Sequence, residues 1–282
     1  MNAVEIKNVT QKFKTFTLDN ISFNLPQGSI VGLVGENGAG KSTLIKLIMN
    51  AMNRDEGEIT VLGCDNKSRE FVNVKQDIGV VLDEAFFPEM INIKQINKIM
   101  KYTYINWNEK VFFDYIDKFN LRSKKKFKDF SRGMKMKLAI AAALSHNPKL
   151  LILDEATSGL DPMVRDEILD VFNDFTRDET HSILISSHIV SDLEKICDYI
   201  AFIHKGRLVM CEEKDKLLEE YAIIKMSKDD FSAIPVYAVK SKKEGKFGVE
   251  AVVAKSKISS AFVTEHTNLE DIILFLAKGE DK

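Results

Sequence analysis

Gly35-Glu36-Asn37-Gly38-Ala39-Gly40-Lys41-Ser42 fits the phosphate-loop pattern of one glycine, four free positions and then Gly-Lys-Ser/Thr. Ahead of it, Gly28 to Val34 reads as a short buried strand; behind it, Thr43 to Met49 carries apolar residues at helical spacing. Strand, loop and helix are the setting the motif requires. Its glycines let the backbone take positive φ and turn successive N–H groups inward, and the helix start adds partial positive charge, so a polyphosphate can sit there. Asn37, Gly38, Ala39, Gly40, Lys41, Ser42 and Thr43 are the candidate phosphate-binding residues. The Lys41 ammonium is expected to reach the β and γ phosphates, and the Ser42 hydroxyl to ligate Mg²⁺.

Of 282 residues, 45 % are hydrophobic and 29 % charged, an ordinary globular balance with room for one large core or two smaller ones. Apolar runs such as Leu138 to Leu144 fall far short of a membrane span, and Met1 to Glu5 lacks the basic start and apolar segment of a signal peptide. A cytoplasmic location is expected. Cys64, Cys197 and Cys211 are widely spaced and make no Cys-x-x-Cys pair, which points to inert thiols and no metal cluster. A net charge of -2 argues against a general nucleic-acid surface.

The chain opens with alternating strand patterns at Val4 to Val9 and Leu18 to Leu25, and further strands are expected at Gly57 to Gly63 and Ile78 to Leu82. From about Pro88, Ile91, Ile93, Ile96, Ile99 and Met100, then Val111, Phe112, Tyr115, Ile116 and Phe119, recur at helical spacing. This predicts a helical insert in which Trp107 is core packing. The basic run Arg122 to Lys128 reads as a solvated loop, with an anionic surface as the alternative. Met134 to Ser145 predicts a helix ended by Asn147-Pro148. It feeds Leu150-Leu151-Ile152-Leu153-Asp154-Glu155, an apolar strand ending in carboxylates, and Ser182 to His188 repeats that design with the helical stretch Val164 to Phe175 between. Continuous apolar strands joined by a helix mean a parallel sheet whose ligands collect at the strand C-termini. After the polar helix Asp215 to Tyr221, a hairpin turning at Lys243 to Lys246 and a helix Asp271 to Ala277, capped at Thr267 to Glu270 and stopped at Gly279, make a small tail.

A phosphate loop alone does not choose among nucleotide enzymes; the later motifs do. Phe130-Ser131-Arg132-Gly133-Met134-Lys135 stands before Leu150 to Glu155, followed by Ser158-Gly159-Leu160-Asp161 and His188. In this order the chain resembles the ATP-binding-cassette (ABC) ATPases from roughly Val4 to Leu218, and its second half looks most like ATPase subunits of ABC-2-type exporters. The resemblance implies an α/β P-loop fold: a mostly parallel core sheet, an N-terminal antiparallel β part and an inserted helical subdomain at about 86–147. It also implies an ATPase domain at 1–220, which leaves a small α+β appendage at 221–282. By resemblance, Phe13 stacks on adenine, with Phe16 as the alternative. Asp154 holds Mg²⁺ through water, Glu155 is the general base and His188 contacts the γ phosphate. Ser131 and Gly133 face a γ phosphate bound on another subunit, and Asp161 couples the two sites.

Three positions depart from the family pattern. Arg132 replaces the first signature glycine, Phe130 replaces Leu, and Asp83 stands where Gln is usual. A carboxylate is also an oxygen ligand, so Asp83 is expected at the Mg²⁺ site, with Glu84 as the alternative if the register slips by one. The implied function is ATP hydrolysis by a dimer of such chains, identical or paralogous, peripheral on the cytoplasmic face of the membrane and driving separate permease subunits. The alternative is a cassette that drives a membrane signalling complex without moving a solute.

Overall fold

The computed structural model describes residues 1–83, 87–121, 125–246, 248–259, 262–264 and 267–280. Glu84 and the first part of the basic run, Arg122 to Lys124, lie outside them. Four strands form an antiparallel sheet at the N-terminal side: β1 (Asn2–Lys12), β2 (Thr17–Pro26), β4 (Glu56–Val61) and the short β5 (Cys64–Asp65), in the order β2-β1-β4-β5. The central sheet has the order β10-β9-β3-β8-β7-β6. Its members are β3 (Ile30–Val34), β6 (Ile78–Val81), β7 (Leu150–Asp154), β8 (Ser182–Ser187), β9 (Tyr199–His204) and β10 (Arg207–Glu213). All its pairings are parallel except that of β10 with β9.

Alternation along these strands explains why they are apolar throughout. Ile30, Val34, Leu151, Leu153, Ile183, Ile185, Ile200 and Phe202 face one core. Val31, Leu33, Leu150, Ile152, Leu184, Ala201 and Ile203 face the other. The first core is covered by the insert helices α3 (Ile93–Thr103), α4 (Glu109–Lys118) and α5 (Arg132–Leu144), with α6 (Pro162–Phe175) and α7 (Val190–Ile196). On the other side lie α1 (Lys41–Ile48), the antiparallel sheet and the one-turn α2 (Phe71–Val74). A strand buried on both faces has no polar side to alternate.

In the insert, Trp107 is core packing, as expected: its ring lies 5.2 Å from Phe112, and its indole N–H donates to Asn97 Oδ1 at 2.8 Å. Phe130 is buried beside Phe127, while Lys125, Lys126 and Lys128 are exposed, the solvated arrangement. Helix α5 starts two residues before the stretch read from the sequence, because Ser131 caps it.

His146 follows α5, fully buried and stacked on Tyr104 at 3.7 Å between ring centroids. Burial pushes its pKa down, outweighing the backbone acceptors at Ile78 and Ala142 and the charge of Asp77. The folded state therefore keeps this imidazole neutral where the unfolded chain would bind a proton. Stability is full above the unfolded pKa of about 6.5 and falls as pH drops below it toward the depressed folded value. The melting temperature is expected to decline from pH 7.5 to pH 5.5, and His146→Phe, though less stable at pH 7.5, to decline less steeply. An equal slope in both proteins would exclude His146 as a source.

Beyond β10, α8 (Lys214–Glu220) leads to β11 (Tyr221–Met226), the one-turn α9 (Lys228–Phe231), β12 (Val239–Glu244), β13 (Val249–Ala254) and α10 (Leu269–Glu280). The three strands make an antiparallel sheet of order β11-β13-β12. Two sequence expectations are corrected here. The hairpin strands run to Glu244 and from Val249, with the Gly245 N–H donating to the Gly248 carbonyl at 2.8 Å. The last helix starts at Leu269, because the Asn268 side chain caps it through the Asp271 N–H, and it runs past Gly279 to Glu280. Thr267 instead accepts a hydrogen bond from the Ile223 N–H. Helix α10 packs Leu269 and Ile273 into the first core.

Candidate functional site

Register places the site. Val34 pairs with Ser187, Asp154 with Ser186 and Val81 with Leu153, so β3, β8, β7 and β6 end at one level. The residues that follow them, Gly35 onward, His188, Glu155 and Asp83, stand along one carboxyl edge. That edge is where ligands bind in parallel α/β sheets.

A cleft of about 280 Å³ is lined by Phe16, Glu36, Asn37, Gly38, Gly40, Lys41, Ser42, Thr43, Asp83 and Glu155. Its floor is the loop between β3 and α1, where Gly38 and Gly40 have φ of +84° and +114°. Gly40 also needs its missing Cβ, which would lie 2.8 Å from Leu18 and 3.0 Å from the Phe16 ring. Ala39 is buried behind this floor. The hairpin of β1 and β2 thus brings Phe16, not Phe13, against the phosphate loop. Phe13 is exposed, its ring 6.2 Å from that of Phe16.

Lys41 is buried, and its ammonium donates to the carbonyls of Gly35 at 2.6 Å and Glu36 at 3.3 Å. It also lies 3.3 Å from Glu155 Oε1, while Glu155 Oε2 lies 2.6 Å from His188 Nδ1. Glu155 has a φ of +53°, a left-handed conformation costing about 1–2 kcal/mol in a residue with a Cβ. The conformation persists because its neighbours over-determine it. Its N–H faces both the carbonyl and the hydroxyl of Ser186, at 3.1 and 3.2 Å, and both carboxylate oxygens have cationic or imidazole neighbours. The turn throws Glu155 off the strand and into the cleft, leaving Asp154 behind it. Asp154 is buried and accepts the Ser186 hydroxyl at 2.5 Å. Ser186 therefore positions both acids, a role that sequence reasoning missed.

Ser131, Gly133 and Asp161 are not among the residues lining this cleft. The Ser131 hydroxyl caps α5 by accepting from the Met134 N–H at 3.3 Å, and Asp161 caps α6 through the Val164 N–H at 3.1 Å. Asp83 does line the cleft, with its carboxylate 2.6 Å from the Arg132 guanidinium. For Mg²⁺, the hydroxyl of Ser42 and the carboxylate of Asp154 supply hard oxygen donors, which fit that ion. Among the described residues no cluster of three or more His, Cys, Asp or Glu could hold a metal. Mg²⁺ commonly needs only one or two protein ligands beside substrate phosphates. Cys197 is buried, and burial raises its pKa; Cys211 is pushed up to about 11 the same way. Both are inert at neutral pH.

A parallel sheet carrying a phosphate loop, a strand-end acid pair and a histidine along one edge defines a nucleotide-binding P-loop domain. The chain belongs to the ABC transporter family, as one of its ATP-binding proteins: the family model described as "ABC transporter" matches residues 18–158. An uncharacterised ABC transporter ATP-binding protein, YhcH of Bacillus subtilis (strain 168), is 31 % identical over 99 % of this chain and 94 % of its own. The lantibiotic transport ATP-binding protein SrtF of Streptococcus pyogenes is 34 % identical over 75 % of this chain and 91 % of its own. A solved structure of an ATP-binding subunit of an ABC transporter superposes with a TM-score of 0.69 at 26 % identity, covering 76 % of this chain and 91 % of that one. The fold is the ABC ATPase fold. Among the described residues, no helix is long and apolar enough to cross a membrane.

Proposed function

We propose that the chain hydrolyses ATP as one of two cassettes of an exporter and drives separate membrane permease subunits from the cytoplasmic face. The observation that carries this reading is the shared edge of the sheet, where Asp154 ends a strand and Lys41, Ser42, Glu155 and His188 follow strands of common register. The likeness to SrtF, named for lantibiotic transport, supports the exporter direction. We treat 1–220 as the ATPase domain and 221–282 as an accessory domain.

Lys41 and the loop N–H groups bind the triphosphate, and in doing so the ammonium exchanges Glu155 for phosphate oxygens. Glu155, released from Lys41 but kept beside His188, takes a proton from the attacking water. His188 orients that water and contacts the γ phosphate. Ser42 and Asp154 would hold a Mg²⁺ ion, which would supply electrostatic stabilisation of the phosphate charge. Phe16 is the better candidate for the adenine platform, because it stands against Gly40 at the cleft wall.

Ser131 and Gly133 act on the nucleotide of a second chain. They lie outside their own cleft, at the N-terminus of α5, a helix end suited to anions. A Cβ on Gly133 would meet Val164 at 3.5 Å, an ordinary contact, so the chain's own packing does not demand glycine there. The space beside Gly133 would instead admit the close approach of a second chain's nucleotide. Light scattering is expected to find Glu155→Gln largely monomeric without nucleotide and dimeric with ATP, and Ser131→Arg to abolish that dimer. A monomer at saturating ATP would rule out the homodimer.

A further inference from the structure

Two charged residues replace neutral ones of the family pattern, and the fold brings them together. Asp83 follows β6 at the cleft wall; Arg132 opens α5. The Arg132 Nη2 donates to Asp83 Oδ1 at 2.6 Å, with both side chains about half exposed. Gly159, in the loop between β7 and α6, has a φ of +66°, and a Cβ there would lie 3.1 Å from the guanidinium carbon. The guanidinium thus lies over Gly159 and joins three segments: the end of β6, the start of α5 and the loop before α6.

We propose that Arg132 is a positioning residue that neutralises Asp83 and so keeps the cleft receptive to a triphosphate. This rests on the nucleotide reading of the cleft given above. Among the described residues, the charged groups lining the cleft are Glu36, Lys41, Asp83 and Glu155, three carboxylates against one ammonium. Lys41 pairs with Glu155, and the cation beside Asp83 is Arg132. A polyanion entering beside a bare Asp83 carboxylate would be repelled. Arg132, which is not itself a lining residue, removes that repulsion by pairing with the carboxylate from the start of α5. The two departures are one compensated change: Asp83 alone would repel the ligand, and the pair with Arg132 is neutral.

The test is nucleotide affinity measured with a fluorescent ATP analogue on the full chain, in EDTA so that turnover and metal ligation play no part. Arg132→Ala is expected to weaken binding about three- to tenfold at low ionic strength, the range a half-exposed charge allows. Adding Asp83→Asn to Arg132→Ala should return the affinity to within about twofold of wild type, because the repelling charge is gone. At about 1 M salt, where the Debye length is about 3 Å, the Arg132→Ala defect should shrink toward nothing. Mg²⁺ should also reduce it, since the ion offsets part of the triphosphate charge. A purely structural Arg132 would instead leave the double variant as weak as the single one, which overturns the proposal, as does an Arg132→Ala affinity equal to wild type. If wild type binds no analogue at all, the nucleotide reading fails, and the inference with it.

Discussion

Glu155→Gln is expected to lower ATP turnover by about 10²- to 10⁴-fold, the usual contribution of a positioned general base, while nucleotide affinity stays equal or tightens. The substitution is nearly isosteric, and both side-chain contacts survive it. The amide oxygen can still stand beside Lys41, 3.3 Å away in the native ion pair, and the amide N–H₂ can donate to His188 Nδ1 at the 2.6 Å position. The left-handed backbone and the bonds to Ser186 are untouched. What disappears is the ability to accept a proton, together with a negative charge that holds Lys41 away from the phosphates. Single-turnover phosphate release and equilibrium binding separate the two effects. Equal rates in wild type and Glu155→Gln, once contaminating activity is excluded, would remove Glu155 from the role.

The parts of this site that could be read from the sequence are those fixed by local chain geometry. Gly38 and Gly40 announce themselves because few residues tolerate the positive φ of a phosphate cradle, and Lys41 because its ammonium follows them at fixed spacing. Leu150 to Asp154 is legible because a strand buried on both faces must be apolar throughout. Ser186 is different. Its hydroxyl reaches Asp154 and the Glu155 N–H only through the pairing of β7 with β8, and a serine at a strand end gives no hint of that. The same holds for Phe16 over Phe13, decided by how the hairpin of β1 and β2 folds toward Gly40. The Arg132 and Asp83 substitutions were visible as departures, but their pairing was not, since 49 positions separate them.

β10 is hard to read because its pairing with β9 slips between Leu208 and Met210, which breaks the alternation that marks a strand, whereas β9 is a buried apolar run like β7 and β8 and carries the same signal. In the tail, Gly279 looked like a helix stop. A glycine in the last turn costs little, however, and Asn268, not Thr267, supplies the cap that sets the start.

Lys41→Ala carries two large consequences that can be measured apart. The first is nucleotide affinity, expected to fall by at least about tenfold, because a charge-assisted hydrogen bond to a charged oxygen is worth about 1.5–3 kcal/mol. The second concerns the protein without nucleotide. The Lys41 side chain is 5 % exposed, and its ammonium serves the carbonyls of Gly35 and Glu36 as well as the Glu155 carboxylate. Glu155 Oε1 has no hydrogen bond of its own, so Lys41 is the cation that balances it. Truncation leaves these buried acceptors facing an empty volume and should cost about 1–3 kcal/mol of stability. Adding Glu155→Gln to Lys41→Ala should recover part of that cost, since the uncompensated charge is gone, but should recover none of the nucleotide affinity. Lys41→Arg keeps the charge and still fails. Its rigid, planar fork does not reproduce a compact ammonium held at 2.6 Å from a loop carbonyl. Denaturant melts and nucleotide titrations on the two single variants and the double variant form a closed cycle. Affinity of Lys41→Ala within about twofold of wild type would show that the phosphate loop holds its ligand through backbone N–H groups alone. Stability that is additive in the double variant would break the proposed link between Lys41 and Glu155.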